Sequence, residues 1–156
     1  NLPWLGPVVV AGVVAWHLFA SKRRGTELAL VAAVAAAGAA FETLLVQGGW
    51  IRFDNGVPAA GLPAVWMVAL WALFATTLNV SLRWMRHRPA IAATFGLIGG
   101  PLAYLGGAQL GALELGQMNV ALTVIGLGWA ALTPALIGLA SRLERQALAQ
   151  PDTGTA

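Results

Sequence analysis

The sequence predicts an all-α fold: a polytopic integral membrane protein built as a bundle of five transmembrane helices. Composition gives the first indication. Of 156 residues, 58% are hydrophobic and 10% are charged, with a mean hydropathy of +0.75, whereas soluble domains carry about 25% charged residues. The second is segmentation. Apolar runs span about 3–20, 27–47, 63–83, 90–112 and 118–140, each close to the ~20 residues that cross a ~30 Å hydrocarbon layer. The third is the distribution of charge. Lys22, Arg23 and Arg24 follow the first run, Arg83, Arg86 and Arg88 follow the third, and Arg142 and Arg145 follow the fifth. Eight of the nine basic residues thus fall on one side, with Arg52 alone on the other. The positive-inside rule makes the eight-residue side cytoplasmic, with the N-terminus outside and the C-terminus inside. One transmembrane domain over 1–145 is expected, followed by a flexible polar tail over 146–156.

In the first run, the basic cluster follows the apolar stretch instead of preceding it, so no removable targeting signal is expected there. Asn1 in place of Met is expected to follow an initiator or a short trimmed segment.

The second run carries Glu42, about fifteen residues in and so ~22 Å from its basic end. Ala35, Gly38 and Ala39 share its face, which turns the acid toward neighbouring helices. An acid at that depth costs ~2.5–3.5 kcal/mol on insertion and is a functional candidate by default. Glu42 is therefore the candidate catalytic residue, as a proton donor or acceptor. The loop that follows, GGWIRFDNGVPAAGL over 48–62, contains a turn at Asp54-Asn55-Gly56. Its Trp50, Ile51 and Phe53 are expected to lay it on the membrane surface.

Trp71 sits mid-way along the third run, as Trp129 does along the fifth, either facing lipid or walling an internal cavity. Trp4, Trp50, Trp66, Trp16 and Trp84 fall at the two interfaces as an aromatic belt. Asn79 ends a stripe of Ala72, Ala75 and Thr76 that leads to Arg83. In the fourth run, Gly96, Gly100, Ala103, Gly107 and Gly111 align on one face, and small-xxx-small spacing lets helix backbones approach closely in lipid. That groove is a candidate surface for a second copy or another membrane protein. Pro101 and Pro134 are expected to bend the fourth and fifth runs. Tyr104 borders the groove, and Gln109 lies opposite it, near Ile98, Leu102 and Leu105. With Glu42 as the acid, Trp71, Asn79, Tyr104, Gln109 and Trp129 form the candidate ligand-binding set.

Several chemistries are excluded. No cysteine is present, so there is no disulfide, thiolate metal site or thiol nucleophile. The net charge of +3 is confined to clusters at the ends of apolar runs, so no nucleic-acid partner is expected. His17 and His87 lack an accompanying carboxylate cluster, and no metal, haem or other cofactor is expected. There is no nucleophile elbow, P-loop, HExxH or dinucleotide fingerprint.

Four passages carry a resemblance: Trp4-Leu5-Gly6-Pro7, FETLLVQGGW over 41–50, LWALFATTLNVSLRW over 70–84 and GLIGGPLAYLGGAQLGA over 96–112. On these the chain resembles the DUF2878 family of uncharacterised bacterial inner-membrane proteins. The resemblance implies a multi-pass protein of the bacterial inner membrane and transfers no residue roles. Members are often encoded beside proteins similar to cyclopropane-fatty-acid synthases and flavin amine oxidases, which implies a part in membrane-lipid modification. The expected function is binding of a membrane lipid or other hydrophobic ligand between the helices, as an enzyme or an accessory. The alternatives are a small-solute transporter or channel, and a non-catalytic structural subunit. The sequence leaves open whether any catalysis occurs.

Overall fold

The computed structural model describes residues 4–149. Within them the chain forms five α-helices: α1 (Leu5–Ala20), α2 (Arg24–Gln47), α3 (Val65–Leu78), α4 (Pro89–Gln109) and α5 (Met118–Ala149). Two short strands, β1 (Ile51–Arg52) and β2 (Glu114–Leu115), lie in the α2–α3 and α4–α5 connections. A single 3₁₀ turn, Arg83–Met85, lies between α3 and α4. The five apolar runs are therefore five helices, and α2, α4 and α5 are long and apolar enough to cross a membrane. The other two, α1 and α3, are equally apolar but have only 16 and 14 residues.

α3 stops at Leu78, five residues short of the end expected at Arg83. Short polar side chains end it by competing for backbone groups. The Thr76 and Thr77 hydroxyls donate back to Leu73 O and Phe74 O at 2.7 Å, and Thr77 O then accepts from Val80 N and Leu82 N. At the other extreme, α5 continues through Ala149, so the first residues of the expected flexible tail are helical. The rest of that tail, 150–156, lies outside the described residues.

α2 and α4 end in the same way. Gly49 (φ +71°) and Gly111 (φ +69°) adopt the left-handed conformation two residues past the last residue of each helix, just beyond the C-caps Gly48 and Leu110. Trp50 N donates to Leu45 O, and Ala112 N to Gly107 O, closing two Schellman motifs. Each turn sends the chain into a strand, and the strands pair antiparallel with Ile51 opposite Leu115 and Arg52 opposite Glu114. This ribbon corrects the picture of a loop spread on the membrane surface. Ile51 and Phe53 are buried inside the protein, with Leu113 and Ala64. Gly111 belongs to the turn and not to the helical groove.

α2 lies against α3 and α5, α4 packs on α5, and α1 packs on α3. Leu30, Val34, Leu45, Leu78 and Ile125 are fully buried between them. Outside, Trp16 is 76% exposed and Leu102 is 61% exposed, in company with Val8, Phe19, Phe95, Ile98 and Leu127. A surface so apolar suits hydrocarbon and would aggregate in water.

The tightest seam joins α4 to α5. Gly96 and Gly100 are buried there, so the expected groove is filled by the protein's own helix. A Cβ at Gly96 would lie 2.2 Å from Trp129 O, and one at Gly126 would lie 3.2 Å from Leu97 O. That Leu97 carbonyl is the one deprived of its helical donor by Pro101, and both α4 and α5 remain continuous helices through their prolines. Gly96→Ala forces α4 and α5 apart and is expected to lower stability by about 1–3 kcal/mol. Gly99→Ala, with open space around its Cβ, should be neutral or stabilising by up to ~1 kcal/mol. Unfolding in mixed micelles checks the pair, and equal effects would mean that the seam is looser than described.

Candidate functional site

Three helices meet at one carboxyl group, and a fourth joins them by ring stacking. Glu42 of α2 has no exposed surface. Its Oε1 accepts a hydrogen bond from Trp71 Nε1 of α3 at 2.9 Å and a second from the Tyr104 hydroxyl of α4. Its Oε2 and the Trp129 indole N–H of α5 are buried without a hydrogen-bond partner among the described residues.

Two glycines, each one turn before a polar residue, make the arrangement possible. Gly38 precedes Glu42 by four positions, and a Cβ there would lie 2.1 Å from Trp71 Cγ. Gly100 precedes Tyr104 by four, and a Cβ there would lie 2.6 Å from Trp129 Cγ. Each glycine admits an indole against its helix backbone. The two indoles stack on one another, with centroids 4.6 Å apart and planes 18° from parallel. Phe74 packs edge-on against both, at 6.2 Å and 5.3 Å, and Phe41 stands edge-on to Trp71. Such contacts add about 0.5–1.5 kcal/mol per pair beyond area burial.

On the other side of these rings lies a cavity of about 200 Å³. Trp71, Phe74, Tyr104, Trp129, Gly107 and Leu113 are among its lining residues. Leu70 of α3 and Ala103 of α4 also line it, and both are exposed, so its mouth opens sideways between α3 and α4. Glu42 is not a lining residue. It sits behind the aromatic wall and holds two of the wall's members.

Three of the five expected ligand-binding residues thus meet at one cavity: Trp71, Tyr104 and Trp129. Trp71 and Trp129 line the cavity and do not face lipid. Asn79 and Gln109 are not brought there. Gln109 is exposed as the last residue of α4. Asn79 belongs to a polar chain at the basic end of the bundle. His17 Nε2 donates to Glu27 Oε2 at 3.1 Å, and Asn79 Nδ2 donates to Glu27 Oε1 at 2.8 Å. Arg86 Nη2 donates to Asn79 Oδ1 at 2.5 Å and Nη1 to Glu144, which Arg83 also reaches at 3.4 Å. The chain ties α1, α2, α3 and α5 together. Sequence reasoning missed Glu27, Arg86 and Glu144 as partners, although opposite charges at the ends of separate apolar runs were the available signal.

The residues that form this site lie within one stretch of recognisable sequence. A family model described as a protein of unknown function, DUF2878, matches residues 1–135. The chain belongs to the DUF2878 family. The match includes Glu42, Trp71, Tyr104 and Trp129. No curated protein matches this DUF2878 chain, and no solved structure matches it.

Glu42→Leu leaves the Tyr104 hydroxyl and the Trp71 indole N–H without an acceptor and is expected to cost about 1–3 kcal/mol. Glu42→Gln keeps an acceptor oxygen and should retain most of that stability. Denaturant titration followed by near-ultraviolet circular dichroism measures both, and identical losses would show that the two donors do not depend on Glu42.

Proposed function

We propose that this protein is a five-crossing membrane protein, with its basic end in the cytoplasm, that takes a hydrocarbon chain or ring of a membrane lipid into the cavity between α3 and α4. The sideways mouth of an aromatic-lined cavity carries this reading. A lipid-embedded guest would enter there without crossing water. Cavity size argues for part of a molecule as the guest. About 200 Å³ is smaller than the ~300–1,000 Å³ of sites for whole drug-sized ligands. It exceeds the ~150 Å³ void that accommodates benzene.

Glu42 acts in this account as a positioning residue. It fixes Trp71 and Tyr104 and, through the stacked indoles, orients Trp129, so the cavity is shaped before a guest arrives. The role is binding, as an accessory to lipid chemistry, with the bacterial inner membrane as the setting that the family resemblance implies. The short α1 and α3 complete the bundle as crossings, because a helix of fewer than ~17 residues can span by locally thinning the bilayer.

The test is photolabelling in nanodiscs with a fatty acid that carries a diazirine on its chain. Adducts are expected on α3 and α4 peptides lining the cavity, and Ala103→Leu together with Gly107→Leu should reduce them severalfold without changing adducts on α1. Uniform labelling that ignores the double variant would overturn the reading. Because the chain has no cysteine, Arg52→Cys and Gln146→Cys report orientation cleanly. An impermeant maleimide should label the first in intact cells and the second only after permeabilisation. The reverse pattern would contradict the assigned orientation.

A further inference from the structure

At the basic end, α4 and α5 part around a second cavity, of about 290 Å³. Its polar lining comprises Arg86, His87, Ser141, Arg142 and Arg145, and no lining residue is acidic. The helical repeat explains the grouping. Pro134, Gly138, Ser141 and Arg145 recur every three or four residues and share one face of α5, opposite Pro89 and Ala92 at the start of α4. The 32 residues of α5 extend about 48 Å at ~1.5 Å each. A hydrocarbon layer is only ~30 Å thick, so the last turns of α5 carry their arginines past its edge.

Arg86 is built into this wall. Its side chain is 12% exposed, with Nη1 on Glu144 and Nη2 on Asn79, while Nε is buried without a partner among the described residues. Arg142 and Arg145 are exposed and make no salt bridge among the described residues. His87 takes φ +66°, a left-handed conformation uncommon for a residue with a side chain. Pro89 then opens α4 on the cavity wall, which adds the positive end of the α4 dipole. Ala92 and Ile137 make part of the same lining apolar.

We propose that this cavity binds the phosphate of an anionic amphiphile, the headgroup of an acidic phospholipid. Arg142 and Arg145, which make no salt bridge among the described residues, and the unpartnered Nε of Arg86, whose Nη1 is held by Glu144, select an anion in a lining without an acid. The apolar part of the wall and the position at the end of two membrane-length helices favour an anion attached to hydrocarbon, and basic pockets between transmembrane helices bind such headgroups. The inference rests on the membrane placement proposed above and is independent of the cavity beside Trp71.

Native mass spectrometry of the full chain, titrated with phosphatidylglycerol or with phosphatidylcholine, tests it. Wild type should retain phosphatidylglycerol preferentially, and Arg142→Gln with Arg145→Gln should reduce that preference about fivefold for each arginine removed. Both arginines are exposed, so the double variant folds, and retained near-ultraviolet circular dichroism verifies this. A parallel arm adds inorganic phosphate to protein in phosphatidylcholine nanodiscs. Thermal stabilisation there equal to that given by phosphatidylglycerol would mean a soluble-phosphate site and overturn the amphiphile. No preference in wild type, or an unchanged preference in the double variant, would overturn the site itself. Failure of the membrane placement would look different: the chain would be recovered soluble without detergent.

Discussion

Glu42 Oε1 is the point to which three helices are tied. A carboxyl group buried among apolar side chains is tolerated only when donors reach it. Here α3 supplies an indole N–H and α4 a phenol. Each donor also carries a large ring, so satisfying the acid simultaneously sets the position of two aromatic walls. Gly38 and Gly100 remove the Cβ atoms that would block those rings. The stacking of Trp71 on Trp129 then brings in the fourth helix. Polar satisfaction, close helix approach and cavity shape are one constraint, satisfied together.

This constraint also explains why the bundle is open on one side. α2 and α5 occupy the middle, and α3 and α4 flank them, joined to each other through Glu42 and the aromatic cluster and not through a packed helix–helix seam. The gap between α3 and α4 becomes the cavity. The two ends of the bundle are closed by different means. A two-stranded ribbon with buried Ile51 and Phe53 closes one. The polar chain from His17 through Glu27, Asn79 and Arg86 to Glu144 closes the other.

Much of this was legible in the residues. Hydropathy and charge placement located five helices, because both report directly on the transfer of side chains from water. Small residues one and two turns before Glu42 pointed it inward, and the structure agrees. Tyr104 also emerged from the sequence. The partnership of Trp71 with Glu42 did not, since an indole in mid-helix packs as readily against lipid as against protein. In the glycine stripe, local and tertiary roles overlap, and spacing alone does not separate them. Gly96 and Gly100 meet α5, Gly107 lines the cavity and Gly111 terminates the helix. Gln109 and Asn79 are polar residues within apolar runs, and nothing in the runs marks that each lies at a helix end, away from the cavity. The paired strands left no signal, since two residues are too few to show alternation.

A double-mutant cycle between Glu42→Leu and Tyr104→Phe tests the tie most directly. Unfolding free energies in mixed micelles should be non-additive by about 0.6–1.7 kcal/mol, from the average to the largest hydrogen-bond coupling between membrane helices. Additivity within about 0.3 kcal/mol would contradict it, because the acid and the phenol would then be acting separately.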